Sequence, residues 1–124
     1  MARIKITLQS TGTCVADRCE LAESFLARLR GLIGRKSLEA GEGMLFPRCN
    51  DIHMWFMSIP IDVVFLKPGA SGDGRLHEVC STREELRPWR ALPVRDGSAR
   101  DTLELPAGTV RKHKIAAGDI LCIA

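Results

Sequence analysis

Residues 3–8 read Arg-Ile-Lys-Ile-Thr-Leu, with polar and apolar positions in strict alternation, so Ile4, Ile6 and Leu8 share one face of a predicted strand. Ser10-Thr11-Gly12-Thr13 supplies a turn, and residues 14–18 return as a second strand. The period then changes. Leu21, Phe25, Leu29 and Leu32 recur three or four residues apart, with Leu26 and Ile33 beside them. That spacing predicts an amphipathic helix over about 21–33, with Glu23, Arg28 and Arg30 at polar positions and a soft end at Gly31 and Gly34.

Short apolar runs follow at 44–46, 52–57 and 61–66, and prolines at Pro47 and Pro60 punctuate them. The turn over 68–74 carries Pro68, Gly69, Gly72 and Gly74, and residues 75–80 return from it as a strand. The stretch 81–100, rich in arginine and proline and weakly periodic, reads as a long connection with at most one short strand. Strands over 102–105 and 120–123 and a helical turn within 108–114 complete the chain. Many short strands with Gly and Pro turns and one real helix predict a mainly β fold. It is an antiparallel sandwich or flattened barrel, a single domain over 1–124.

Composition narrows the classes without choosing one. With 45% apolar and 27% charged residues the chain is neither disordered nor fibrous. A net charge of +3 permits an acidic partner but demands neither nucleic acid nor membrane. The first residues lack the continuous apolar core of a secretory signal, and no stretch approaches the roughly eighteen apolar residues of a membrane helix. The five cysteines are odd in number and have no CxxC spacing, so the expectation is a cytoplasmic protein with free thiols and no zinc site.

Six stretches, in order, carry a resemblance. They are 28–35 (Arg-Leu-Arg-Gly-Leu-Ile-Gly-Arg), 43–46 (Gly-Met-Leu-Phe), 52–57 (Ile-His-Met-Trp-Phe-Met), 60–66 (Pro-Ile-Asp-Val-Val-Phe-Leu), 103–109 (Leu-Glu-Leu-Pro-Ala-Gly-Thr) and Gly118-Asp119. Together they resemble the prokaryotic family called domain of unknown function 192, over roughly residues 20–123. The resemblance implies a β-rich, sandwich-like fold and brings neither an activity nor catalytic residues. Many relatives look exported, so the compartment is argued from this chain's own residues. Many relatives also carry an aromatic-Trp-Met-Lys-Asn run where this chain has Met54-Trp55-Phe56-Met57-Ser58-Ile59, so any role of that Lys-Asn pair is missing here.

Candidate chemistry centres on Asp62, set among Ile61, Val63, Val64, Phe65 and Leu66. A carboxylate in such a run needs partners or must neutralise. It is read either as an acceptor for backbone or arginine hydrogen bonds or as a base or ligand anchor in a cleft. His53 and Trp55 share a strand face with Cys49, Asp51 and Met57, opposite Ile52, Met54 and Phe56. Cys49, His53 and Met57 are soft-metal ligand types, but strand positions four apart lie about 13 Å from each other, too far to close on one ion. The same distance excludes a Cys49–His53 nucleophile pair.

Arg83, Arg87, Arg90, Arg95 and Arg100 with Trp89 offer a nucleic-acid or acidic-partner surface that Glu84, Glu85, Asp96 and Asp101 dilute. Glu104, opposite in phase to Leu103 and Leu105, reads as an exposed position or an arginine's partner. The favoured function is a small module binding a ligand or a protein through His53, Trp55, Asp62, Arg28 and Trp89, with no cofactor or metal. The alternative is a small hydrolase-like enzyme with His53 and Asp62 as acid and base.

Overall fold

The alternating residues at the start of the chain form strand β1 (Arg3–Leu8), which turns back into β2 (Cys14–Leu21). The computed structural model describes residues 3–22, 37–52, 58–88 and 93–124. The further strands are β3 (Glu42–Phe46), β4 (Asp51–Ile52), β5 (Ile61–Pro68), β6 (Leu76–Leu86), β7 (Val94–Arg95), β8 (Asp101–Pro106) and β9 (Ile120–Ile123), and Thr109–His113 forms a short helix, α1. Seven strands close into a barrel in the order β1-β2-β3-β8-β5-β6-β9, while β4 and β7 make a separate two-stranded ribbon. The expected mainly β architecture is therefore a barrel, closed where β9 pairs with both β1 and β6.

The pairing is antiparallel except between β2 and β3, which run parallel. Leu21 ends β2, so the strand takes the first position of the expected helix. Residues 23–33 of that helix lie outside the described residues, as do 53–57 of the apolar run after β4. The stretch 81–86, expected to belong to a long connection, instead continues β6. Two register shifts against β5 explain why its pattern was obscure. Two residues, Glu84 and Glu85, lie between the partners of Ile61 and Val63, and Cys80 is extra between the partners of Phe65 and Leu66. Each bulge throws the alternation out of phase, and Glu85 adopts the left-handed conformation with φ 52°.

Two apolar clusters use the two faces of the sheet. Ile6, Val64, Leu66, Leu103, Leu105 and Leu121 point into the barrel, and Val110 of α1 and Ile115 pack with them. Met44, Phe46, Ile61, Val63 and Phe65 form a second cluster on the outside, joined by Ile52 of β4 and Val94 of β7. Burying each such side chain contributes about 1.5–3 kcal/mol, so β3 and β5 are held from both sides. That accounts for their nearly continuous apolar sequences.

Inside the barrel, Gly43 is a close-approach position. A methyl group there would lie 3.0 Å from the Glu104 carbonyl oxygen and 3.1 Å from Leu105 Cδ2. Gly43→Ala is expected to lower stability by about 1–3 kcal/mol, since neither the β8 backbone nor a packed leucine yields cheaply. The urea midpoint of the variant beside the parent measures this, and an unchanged midpoint would mean that β3 and β8 can separate at that point.

Candidate functional site

Asp62 lies on β5 in phase with Val64 and Leu66 and is fully buried. Its Oδ1 accepts the backbone N–H of Glu85 at 2.7 Å, at the left-handed bulge residue of β6. Its Oδ2 accepts the N–H of Gly108 at 3.0 Å and of Val110 at 2.9 Å. Gly108 precedes α1 and offers no side-chain cap, so a carboxylate 46 residues away in sequence satisfies the free amides of that helix start. One side chain thus ties three elements together: β5, the bulge of β6 and the helix at the end of the barrel. A buried carboxylate accepting three backbone amides has three of its roughly four acceptor sites committed to the fold.

Glu104 is the contrasting acid. Its neighbours Leu103 and Leu105 face the barrel interior, so Glu104 faces outward, as its phase implied. It is not exposed, however: only 7% of the residue is accessible, and no described residue forms a hydrogen bond or ion pair with it. Desolvation pushes its carboxyl up to about 8 from an ordinary 4.5. Pairing registers place Glu20 of β2, Met44 of β3, Glu104, Val63 of β5 and Arg83 of β6 in one row across the sheet. The adjacent row carries Phe46, Thr102 and Phe65.

Arg83 does not answer Glu104. Its guanidinium carbon sits 5.5 Å from the centre of the Phe65 ring, and its Nη1 donates to the Thr82 carbonyl at 3.1 Å. It also lies in the field of Asp96, which Ser81 and Ser98 hydroxyl groups hold below the usual carboxylate range. Arg87 and Arg95 are exposed, and Arg100 pairs with Asp101 at 2.9 Å. Asp101 also accepts the Arg48 amide and approaches buried His77 Nε2 at 3.9 Å, a clasp between β8, β6 and the turn after β3.

Of the residues singled out from sequence, Arg28, His53, Trp55 and Trp89 lie outside the described residues, as do Arg90 and Met57. Cys49 donates its thiol to the Asp51 carbonyl at 3.1 Å. Among the described residues no three ligating side chains converge on a point. The five cysteines are unbridged: Cys14 is exposed, and Cys19 is buried in the barrel with its thiol pushed up to about 12. A shallow concavity of about 280 Å3 lies between β2 and α1, lined by Cys14, Arg18, Lys112 and His113 among others. Burial and the Lys112 charge lower the His113 imidazole.

The residue that reading along a single strand missed is Glu104. Its immediate neighbours gave the right face, but its burial is a property of the covered outer face, not of β8 alone. A signal was present there: both strands are apolar at alternate positions on both faces, which marks an outer face that is also covered.

The model of the family DUF192, "Uncharacterized ACR", matches residues 6–123. A UPF0127 protein of Thermococcus sibiricus is 30% identical over 115 residues, covering 90% of this chain and 69% of the relative. The chain spans about two thirds of the length of the curated relatives it matches. A crystal structure of a protein of unknown function from Novosphingobium aromaticivorans superposes with a TM-score of 0.76 at 24% identity, covering 97% of this chain and 83% of the other. A second, from Sinorhizobium meliloti 1021 and provisionally named a transcription regulator, gives a TM-score of 0.72 at 26% identity over 96% of this chain and 90% of the other.

Proposed function

The chain belongs to the DUF192 family, and we propose that it is a small-ligand-binding module whose site lies on the outer face of the barrel around Glu104. One observation carries this reading: a buried carboxyl with no partner among the described residues, set in an apolar row between Met44 and Val63. Leaving such a group unpaired costs free energy. A module that holds a ligand there regains that cost when the ligand arrives.

The chain acts as one domain in this reading. His53, Trp55, Trp89 and Arg28 stay the sequence-based candidates for ligand contact in this reading. Asp62 serves the site indirectly by fixing β5 against α1 and β6. Its three amide partners favour binding over acid–base catalysis by His53 and Asp62, since a base needs a free lone pair aimed at substrate. The odd number of cysteines without CxxC spacing favours a reducing compartment, and the cytoplasm is the location that goes with this reading.

The test is a fragment library balanced among cationic, neutral and anionic members, screened by NMR against the whole chain. Hits are expected to shift amide signals of Met44, Val63 and Glu104 together and to weaken in Glu104→Leu. Hits that map instead to the concavity beside Cys14 and His113, or that bind the variant equally well, would contradict the reading.

A further inference from the structure

We infer that the concavity between β2 and α1 is a second, anion-binding site, which takes a phosphate group as its dianion, free or as a phosphomonoester, between Arg18 and Lys112. It shares no lining residue with the row around Glu104, so it adds to the outer-face site and does not replace it. Its volume of about 280 Å3 is several times the roughly 30 Å3 share of one water, which leaves room for a tetrahedral oxyanion.

Arg18 of β2 is held in place before any ligand arrives. Its Nη2 donates to the Ala40 carbonyl at 2.7 Å, and its Nε lies 3.5 Å from Asp17 Oδ1. Its Nη1 has no partner among the described residues, so N–H donors remain for a ligand, and the side chain is nearly half exposed. Gly41, at φ 90°, lies against this pair: a methyl group there would sit 2.7 Å from Asp17 Oδ1 and 3.2 Å from Arg18 Nη2. The bare backbone at Gly41 is what lets the guanidinium rest on the turn. A guanidinium already immobilised has little rotamer freedom left to lose on binding.

Helix α1 brings the second cation. Lys112 is exposed and its ammonium has no ion pair or hydrogen bond among the described residues. Burial and the Lys112 charge lower the His113 imidazole, so it is neutral at pH 8 and offers one N–H. The acid of the lining, Asp17, is turned to Arg18, and Arg111 is directed away, to Glu84 of β6 at 3.7 Å. The fixed charge left over in the concavity is therefore that of Lys112. An organic cation would meet this ammonium with no free carboxylate to receive it. A carboxylate or a phosphodiester carries one charge and answers Arg18 or Lys112. A phosphate dianion has oxygens for both, and one to accept from His113.

The experiment titrates inorganic phosphate, glycerol 3-phosphate, dimethyl phosphate and acetate against the whole chain at pH 8 and constant ionic strength, followed by amide NMR. Phosphate and glycerol 3-phosphate are expected to shift Cys14, Gly41, Lys112 and His113 together and to bind at least about tenfold more tightly than the two monoanions. Equal affinities for the two dianions mark a free-phosphate site, and tighter glycerol 3-phosphate marks a phosphomonoester site. Lys112→Gln should weaken dianion binding at least about fivefold. Arg111→Gln removes the same charge one residue away, outside the concavity, and should weaken it less than about twofold. Dimethyl phosphate or acetate binding as tightly as the dianions overturns the assignment. So do equal losses in the two variants, which would mean diffuse attraction to a basic surface. A failure of both dianions to shift the four residues removes the site.

Discussion

Glu104→Gln is expected to leave stability near the parent's at pH 5 and to raise it by on the order of 3 kcal/mol at pH 7. The sign follows from which state holds the proton. The unfolded chain releases it near 4.5 and the folded chain near 8, so between those values the native state binds more protons than the unfolded state. Stability contributed by this group is therefore greatest below 4.5, falls as pH rises, and levels off above about 8. The slope is about 1.4 kcal/mol for each pH unit, a large effect against a domain stability of roughly 5–15 kcal/mol. Gln keeps the volume and never ionises, so the difference between variant and parent should grow across that window. Urea midpoints at pH 5, 6, 7 and 8 measure it, and a difference that stays flat with pH would show that Glu104 is solvated in the folded protein. Retaining an acid where an amide is more stable is the pattern expected of a group kept for binding.

Asp62→Asn is expected to act in the opposite direction, costing about 2–4 kcal/mol. Asn offers one acceptor oxygen in place of two. If its carbonyl stays on Gly108 and Val110, its amide group faces the Glu85 N–H, and two donors confront each other at 2.7 Å. Turning the amide the other way strands the start of α1 instead. Asp62→Ala removes all three acceptor contacts and should cost more. Amide hydrogen exchange locates the damage: Glu85, Gly108 or Val110 should lose protection ahead of the barrel strands. A urea midpoint at or above the parent's, with an unchanged slope, would show that these three bonds do not hold the barrel end.

Strict alternation made β1 legible, and apolar runs bounded by proline located β3, β5 and β8. The second half of β6 was not legible, because two bulges shift its phase and place Arg83, Glu84 and Glu85 where a regular strand would alternate. The parallel pairing of β2 with β3 leaves no trace in either strand alone. For Asp62 the sequence required partners, yet nothing local indicates that two of them are 46 and 48 residues distant. Glu104 illustrates the same limit of local reading. Residues on its own strand set its direction, while the rest of the fold sets its solvation, and solvation controls its charge.

The most direct measurement is the pH titration of the Glu104 side-chain carboxyl carbon by 13C NMR in the whole protein. The buried acid, unpaired among the described residues, predicts a midpoint near 8. A midpoint near 4.5 would mean a carboxylate already in water or already paired, and the outer face would lose its claim to be the site.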